Sequence, residues 1–439
     1  MVLEDLDPCL LPGCTTAETR ERFFIEFGRA LRRLLDGPHP WPVASPPKPI
    51  PHPLTAHHGE HSAARETQMP LTLPQFTIKP HPHLRPDAER QQILAAPGFG
   101  RYMTDHMVTI KWTGEGGWHD AALGPYAPLT IDPAATGLHY GQSIFEGLKA
   151  YRQPDGTVAL FRPEANAHRF QASARRMAMP ELPVELFMKA CELLVSQDRC
   201  WVPDAAEHSL YLRPLMFATE STLSVRPSAE YLFLLIASPA GSFFPDGIRP
   251  LSVWIAEDYV RAAPGGTGAA KFAGNYAAAF LAQNDAAEHG CDQVVWLDAV
   301  ERRWIEEVGA MNLFFVRGHG SAAEITTPAL TGSLLPGITR DCVLTLARDL
   351  GHPVSESRIS LEEWQTGAAD GSITEVFGCG TAAVITPVGQ ARTRTTAWQM
   401  ADGRPGPLTL RLREKLMAVQ TGRAPDPHGW VHHPRTTAH

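Results

Sequence analysis

From residue 107 onward, apolar and polar positions fall into short blocks with two different periods. MVTIKW (107–112) and TVALFR (157–162) predict strands, while LYLRPLMFA (210–218) and YLFLLIAS (231–238) read as buried strands. PVELFMKACELLVSQD (183–198) spaces its apolar residues for one helical face. A second helix is predicted to start at Pro163, since proline suits the first helical turn. Further strands are expected near 251–256 and 293–297, with helices over 275–288 and 338–350. There is no internal repeat. The alternation predicts an α/β (α+β) protein of two globular units. SPAGSFFPDGIRP, dense in proline and glycine, marks the link between them. The expected units are a small α/β domain over 71–240, a linker over 241–253 and a large domain over 254–439.

The first 70 residues break this pattern. DGPHPWPVASPPKPIPHPLTAHHGEHSAARETQ has few aliphatic residues, and its prolines fix φ and remove backbone donors. An extended or disordered extension over 1–70 is expected there, preceded by a possible short amphipathic helix in RERFFIEFGRALRRLL (20–35). His57, His58 and His61 are read as incidental members of a polar tail, not as a metal site. Globular-looking sequence follows Met69 directly, so the extension is expected to be dispensable; an interaction or targeting arm is the alternative.

Composition narrows the function. The 439 residues carry a formal net charge of -8, which argues against a general nucleic-acid binder. The seven cysteines form no CxxC pair, which fits neither a zinc site nor a disulfide scaffold and suggests a cytoplasmic setting. No apolar run approaches the ~20 residues of a membrane helix.

Candidate chemistry concentrates in a few stretches. In PGGTGAAKFAGNYAAAF (264–280), Lys271 stands among small residues. It is either an amine nucleophile able to form a Schiff base, with small neighbours that admit a flat cofactor ring, or a lysine on a glycine-rich loop. Tyr276, five residues on, is either a phenol near that ring or a core aromatic beside Phe280. In RRWIEEVGAMNLFFV (302–316), Glu306 and Glu307 enter an apolar strand, where a carboxylate needs a partner. A protonated ring nitrogen would be one; a solvated turn is the alternative. In TGSLLPGITRDCVLTLARDLG (331–351), Ile338 and Thr339 begin a helix whose free amides suit an anion. Thr381 in FGCGTAAVITPVG and Arg169 in PEANAHRFQASARRM offer further phosphate donors. Together these are the parts of a pyridoxal phosphate (PLP) site.

LHYGQSIFEGLKAYR, AAKFAGNYA, QVVWLDAVERRWIEEVGAMN, LLPGITRD and EVFGCGTAAVITPV, in this order, resemble the branched-chain amino acid aminotransferases. These are class IV, fold type IV, PLP-dependent enzymes with two domains and the cofactor between them. The resemblance runs from about residue 75 to the C-terminus and does not cover the extension. It implies transfer of the amino group of leucine, isoleucine or valine to 2-oxoglutarate by a homodimer. It also implies that Lys271 is the Schiff-base lysine and general base, Tyr276 the partner of the ring oxygen and Glu307 that of the pyridine nitrogen. Arg169, Ile338, Thr339 and Thr381 match phosphate-binding positions, with Arg261 near them. Phe145 and Tyr211 match the side-chain pocket, Arg213 an arginine near the substrate, and Tyr140 a tyrosine lent by the neighbouring subunit. Ala310 and Ala382 match positions whose backbone faces the substrate carboxylate, and Phe243 stands where a tyrosine is often found. The redox CxxC of the animal enzymes is replaced by Ala383, Val384, Ile385 and Thr386, so thiol regulation of that kind is not expected. D-amino-acid aminotransferases and aminodeoxychorismate lyases share the lysine and glutamate and remain the alternatives, beside a non-catalytic protein of the same fold.

Overall fold

A computed structural model describes residues 73–244 and 247–434. The expected extension over 1–70, its amphipathic stretch and its histidines lie outside them, as do Pro245 and Asp246 of the linker. Among the described residues, the strands form two nine-stranded sheets.

The first sheet is built on long antiparallel pairs. His106–Thr113 pairs with Glu230–Ala240, which pairs along its length with Ser209–Ala218. Leu148–Arg152 and Val158–Phe161 continue the sheet. Its last strand is Val431–His432, which returns from the far end of the chain to Val158–Phe161. Alternate side chains of a strand face opposite sides. The buried side of this sheet, with Ile110, Leu212 and Phe233, packs on the helices Pro163–Arg176 and Val184–Gln197 through Phe170 and Phe187.

In the second sheet, six strands close into a ring. Ile305–Val308, Gln293–Leu297, Leu251–Ala256, Val384–Arg392, Ile373–Gly380 and Met311–Arg317 pair in that order, and the last pairs with the first. These strands read as near-continuous apolar runs because they are buried on both faces. Leu251–Ala256 begins inside the stretch expected to be linker.

The predicted elements appear with small shifts. The helix expected over 275–288 is divided into Gly274–Ala277 and Phe280–Glu288. The divide is a tightened turn: the N–H of Ala279 donates to Tyr276 O, three residues back instead of four.

Candidate functional site

One cavity of about 260 Å³ gathers side chains from both sheets. Phe145, Arg169, Tyr211, Arg213 and Phe243 reach it from the first half of the chain; Lys271, Tyr276, Ala310, Ile338, Thr339, Thr381 and Ala382 reach it from the second. Of the residues matched to the family's site, three do not line it: Tyr140, Arg261 and Glu307.

Lys271 is anchored through its backbone. Its N–H donates to Ser173 Oγ at 2.9 Å and its carbonyl accepts from Phe145 N at 3.0 Å, so it is tied to both the helix Pro163–Arg176 and the strand Ser143–Phe145. Its Nζ lies 3.0 Å from Tyr276 Oη and over the Phe145 ring. Burial, and then the Arg169 guanidinium, bring its pKa down to about 8. Burial raises the Tyr276 phenol to about 12, which keeps it a neutral hydrogen-bonding group.

The small residues around Lys271 do not admit a ring. None of the glycines and alanines of 265–274 lines the cavity. Gly268 is needed for packing, because a Cβ there would strike the Ser333 carbonyl. That carbonyl accepts from Arg261 Nη1 at 2.8 Å, so the glycine-rich turn wraps around the arginine.

Arg261 is turned to Glu307. Its Nε lies 2.9 Å from Glu307 Oε2, with both side chains buried. Glu307 also accepts from Leu335 N at 2.6 Å. Burial pushes its carboxyl up, while Arg261 and this N–H pull it back. Strand register sets Glu307 beside Asn312 and Asn312 beside Cys379. Asn312 and Cys379 line the cavity, so Glu307 lies on their face of the sheet, in the row behind the wall. Glu306, its neighbour, turns to Ser333 Oγ instead.

Arg169 is clamped by a residue that sequence reading passed over. Glu146 has no exposed surface and takes Arg169 Nε at 2.7 Å and Nη2 at 2.8 Å. Asn166 Nδ2 adds a third bond at 2.7 Å. Burial opposes the charge on Glu146, but Arg169 outweighs it and holds the carboxyl below its usual range. A two-pronged pair fixes the plane of the guanidinium. Arg169 Nη1 donates to Pro336 O at 3.2 Å, which brings the arginine beside the turn that opens the helix Ile338–Asp349. The first intrahelical bond there is Asp341 N to Gly337 O, so the amides of Ile338 and Thr339 precede the ladder. Gly337 keeps this cradle open: a Cβ would meet Asn312 Oδ1.

Tyr211 and Arg213 stand on one strand, with Arg213 Nη2 3.0 Å from Tyr211 Oη and the guanidinium over the Phe145 ring. Arg213 Nε is buried and unpartnered. Phe99, which no periodic signal marked, covers Tyr211 edge-on and lines the cavity. Phe243 is half exposed at the lining and packs edge-on against Phe244. Tyr140 lies away from the cavity, its hydroxyl donating to Leu223 O at 2.6 Å. Glu146 could have been found by the reasoning applied to Glu307, since SIFEGLKA also sets a carboxylate among apolar residues.

The set fits PLP. It holds a lysine amine of lowered pKa, a buried carboxylate in register with two lining residues, and an oriented arginine beside a helix start that opens on a glycine. Three cationic side chains line the cavity, which suits an anionic ligand.

Comparisons with known proteins point to one family. The family described as "Amino-transferase class IV" matches residues 143–391. A "Probable branched-chain-amino-acid aminotransferase" of Streptomyces coelicolor is 59% identical, over 82% of this chain and 99% of its own. A "Branched-chain-amino-acid aminotransferase" of Mycolicibacterium smegmatis is 58% identical, over 81% and 97%. Among solved structures, a T.th. branched-chain amino acid aminotransferase with pyridoxamine 5'-phosphate has a TM-score of 0.61 and 30% identity, covering 74% of this chain and 98% of its own.

Proposed function

The chain belongs to the class IV aminotransferase family, among its branched-chain-amino-acid aminotransferases, and from that premise we propose that it moves the amino group of L-leucine, L-isoleucine or L-valine reversibly to 2-oxoglutarate. The products are the branched 2-oxo acid and L-glutamate, so the enzyme can close branched-chain biosynthesis or open degradation. The observation that carries this reading is the meeting of Lys271, Arg169 and the Thr381–Ala382 turn on one cavity with an apolar wall.

PLP, the cofactor of this enzyme, supplies an electron sink for the charge left when the substrate loses its α-proton. Lys271 is the residue that would hold it covalently, and Lys271 Nζ is the base that moves the proton at the substrate Cα. Its lowered pKa leaves a usable fraction of neutral amine near neutrality. Tyr276 keeps Nζ oriented. Glu307 would face the ring nitrogen, and Arg261 acts only through Glu307. Arg169, the Ile338 and Thr339 amides and Thr381 would hold the phosphate.

Phe145, Tyr211 and Phe243 suit an aliphatic side chain, while the backbone at Ala310 and Ala382 would meet the substrate carboxylate. Glutamate brings a second carboxylate, and the Arg213 guanidinium at the cavity lining offers it a charge. The domain division at 241–253 accompanies this reading, adjusted so that the large domain begins at Leu251. Leu138, Tyr140, Leu223 and Val225 are exposed around the Tyr140–Leu223 bond and support a homodimer in which Tyr140 reaches the neighbouring site. No helix among the described residues is long and apolar enough to cross a membrane. The five described cysteines are all unpaired, which supports a cytoplasmic enzyme.

The test is visible absorbance of the purified protein. A band that bleaches with L-leucine, recovers with 2-oxoglutarate and is missing in Lys271→Ala supports the assignment. A band indifferent to L-leucine but answering D-alanine moves the substrate class, and turnover by Lys271→Ala near the wild-type rate removes Lys271 from the chemistry.

A further inference from the structure

The Gly380–Ala383 turn is a thin wall between two cavities. On its front it lines the cavity of Lys271. Behind it is a second, much smaller cavity lined by Lys149, Glu207 and Arg413. The turn ends in Val384, a buried β-branched residue at φ +61°. L residues with branched side chains avoid this left-handed region, so the surroundings must impose it.

A pair of buried cations holds the carbonyls on either side of it. Lys149 Nζ, from the strand Leu148–Arg152, donates to Ala382 O at 3.0 Å. Arg413, from the helix Pro407–Gln420, donates through Nη1 to Ala383 O at 3.2 Å and to Ile385 O at 3.1 Å. Its Nη2 is held by Glu207 at 2.9 Å. Thr386 Oγ1 also donates to Ala383 O, at 3.3 Å. In a trans peptide the N–H points opposite the C=O. Holding the Ala382 carbonyl from behind therefore turns the Ala383 N–H toward the front cavity, and a cation on the carbonyl polarises that same peptide.

We propose that Lys149 and Arg413 are positioning residues for substrate recognition: from behind the wall they lock the 381–384 turn so that its backbone N–H groups face a substrate carboxylate. This rests on the aminotransferase reading for the identity of the carboxylate. Neither cation reaches the substrate, because the rear cavity, at about 10 Å³, has barely the room of one water. Burial, and then Arg413, lower the Lys149 pKa to about 8, while Glu207 opposes this. Lys149 is therefore chiefly protonated at pH 7.

The test uses the holoenzyme and two probes that each lack one group of leucine. 4-Methylpentanoate keeps the carboxylate without the amine; 3-methylbutylamine keeps the amine without the carboxylate. Lys149→Met is expected to weaken calorimetric binding of 4-methylpentanoate, and to raise KM for L-leucine, by about tenfold. Reaction with 3-methylbutylamine and the visible band should stay unchanged, and Lys149→Arg should restore part of the loss. If Lys149→Met does not fold, Arg413→Lys gives the same comparison with the charge retained and the fork lost. Unchanged 4-methylpentanoate binding, or an equal loss for the acid and the amine, overturns the proposal. A wild-type protein that binds 4-methylpentanoate but leaves L-leucine unreacted fails the aminotransferase reading while the binding comparison still decides the role of Lys149. A wild-type protein that does not bind the acid overturns both.

Discussion

Replacing Arg261 with methionine isolates the part of the site that lies behind the cavity. Arg261 and Glu307 are 5% and 2% exposed and meet at 2.9 Å. Removing one partner of such a pair leaves a buried, uncompensated charge and costs about 3–5 kcal/mol. The carbonyls of Gly268 and Ser333 also lose their donor, adding roughly 1 kcal/mol each. In the double variant with Glu307→Gln no charge is stranded, so it should be more stable than Arg261→Met alone, with a coupling of about 2–3 kcal/mol. The assay is urea unfolding of the cofactor-free protein followed by tryptophan fluorescence, since bound cofactor would add its own stabilisation.

A pH series checks the sign. Without Arg261, burial raises the folded pKa of Glu307 above its ordinary value of 4.5. A raised carboxyl is penalised above its folded pKa and not below its unfolded one. The deficit of Arg261→Met should therefore shrink as pH falls toward about 5. A single variant that loses less than ~1 kcal/mol and shows no coupling would refute the reasoning, because the pair would then be energetically inert.

Capture of cofactor by the cofactor-free protein needs neutral Lys271. With its pKa at about 8, set among Arg169, Glu146, Tyr211 and Arg213, the capture rate should rise about tenfold per pH unit below 8 and level off above it. A rise continuing toward pH 10 would place the lysine in water. Glu146→Gln frees the Arg169 fork and should weaken cofactor affinity about 10- to 100-fold in equilibrium dialysis, while the stranded Arg169 charge lowers the stability of the cofactor-free protein by about 3–5 kcal/mol. Gly337→Ala sets a methyl against Asn312 Oδ1, whose buried side chain donates to Leu335 O, and should both weaken cofactor binding and lower the urea midpoint.

Much of this was legible in the chain. The helices Pro163–Arg176, Val184–Gln197 and Ile338–Asp349 follow from apolar spacing and their opening residues, because amphipathic faces are written locally. The meeting of Lys271, Arg169 and Thr381 was expected through resemblance, since no local pattern brings such distant residues together. What escaped reading depends on contacts across the sheets. The glycines near Lys271 suggested access for a ring, yet Gly268 packs on the Ser333 carbonyl, Gly266 on the Ala263 carbonyl and Gly274 on the Phe272 ring. Arg261 itself is one guanidinium in a loop, and only the folding of that loop brings it within reach of Glu307. Lys149 sits in a quoted motif, but its partner Ala382 O is far along the chain. Phe99 belongs to a loop with no period at all.

The short strand Val431–His432 has a consequence for how the protein comes into being. It supplies the edge partner of Val158–Phe161, although the whole second sheet lies between them in sequence. During synthesis the earlier sheet can assemble its long central pairs, yet that edge stays unpaired until translation has passed residue 432. Trp430 shares in the closure, packing edge-on against Phe161 and accepting Arg162 N through its carbonyl. Arg162 heads the helix that carries Arg169. A ribosome that stalls in the last stretch would thus leave a chain containing every residue that lines the cavity, but with the base of the arginine-bearing helix unfastened.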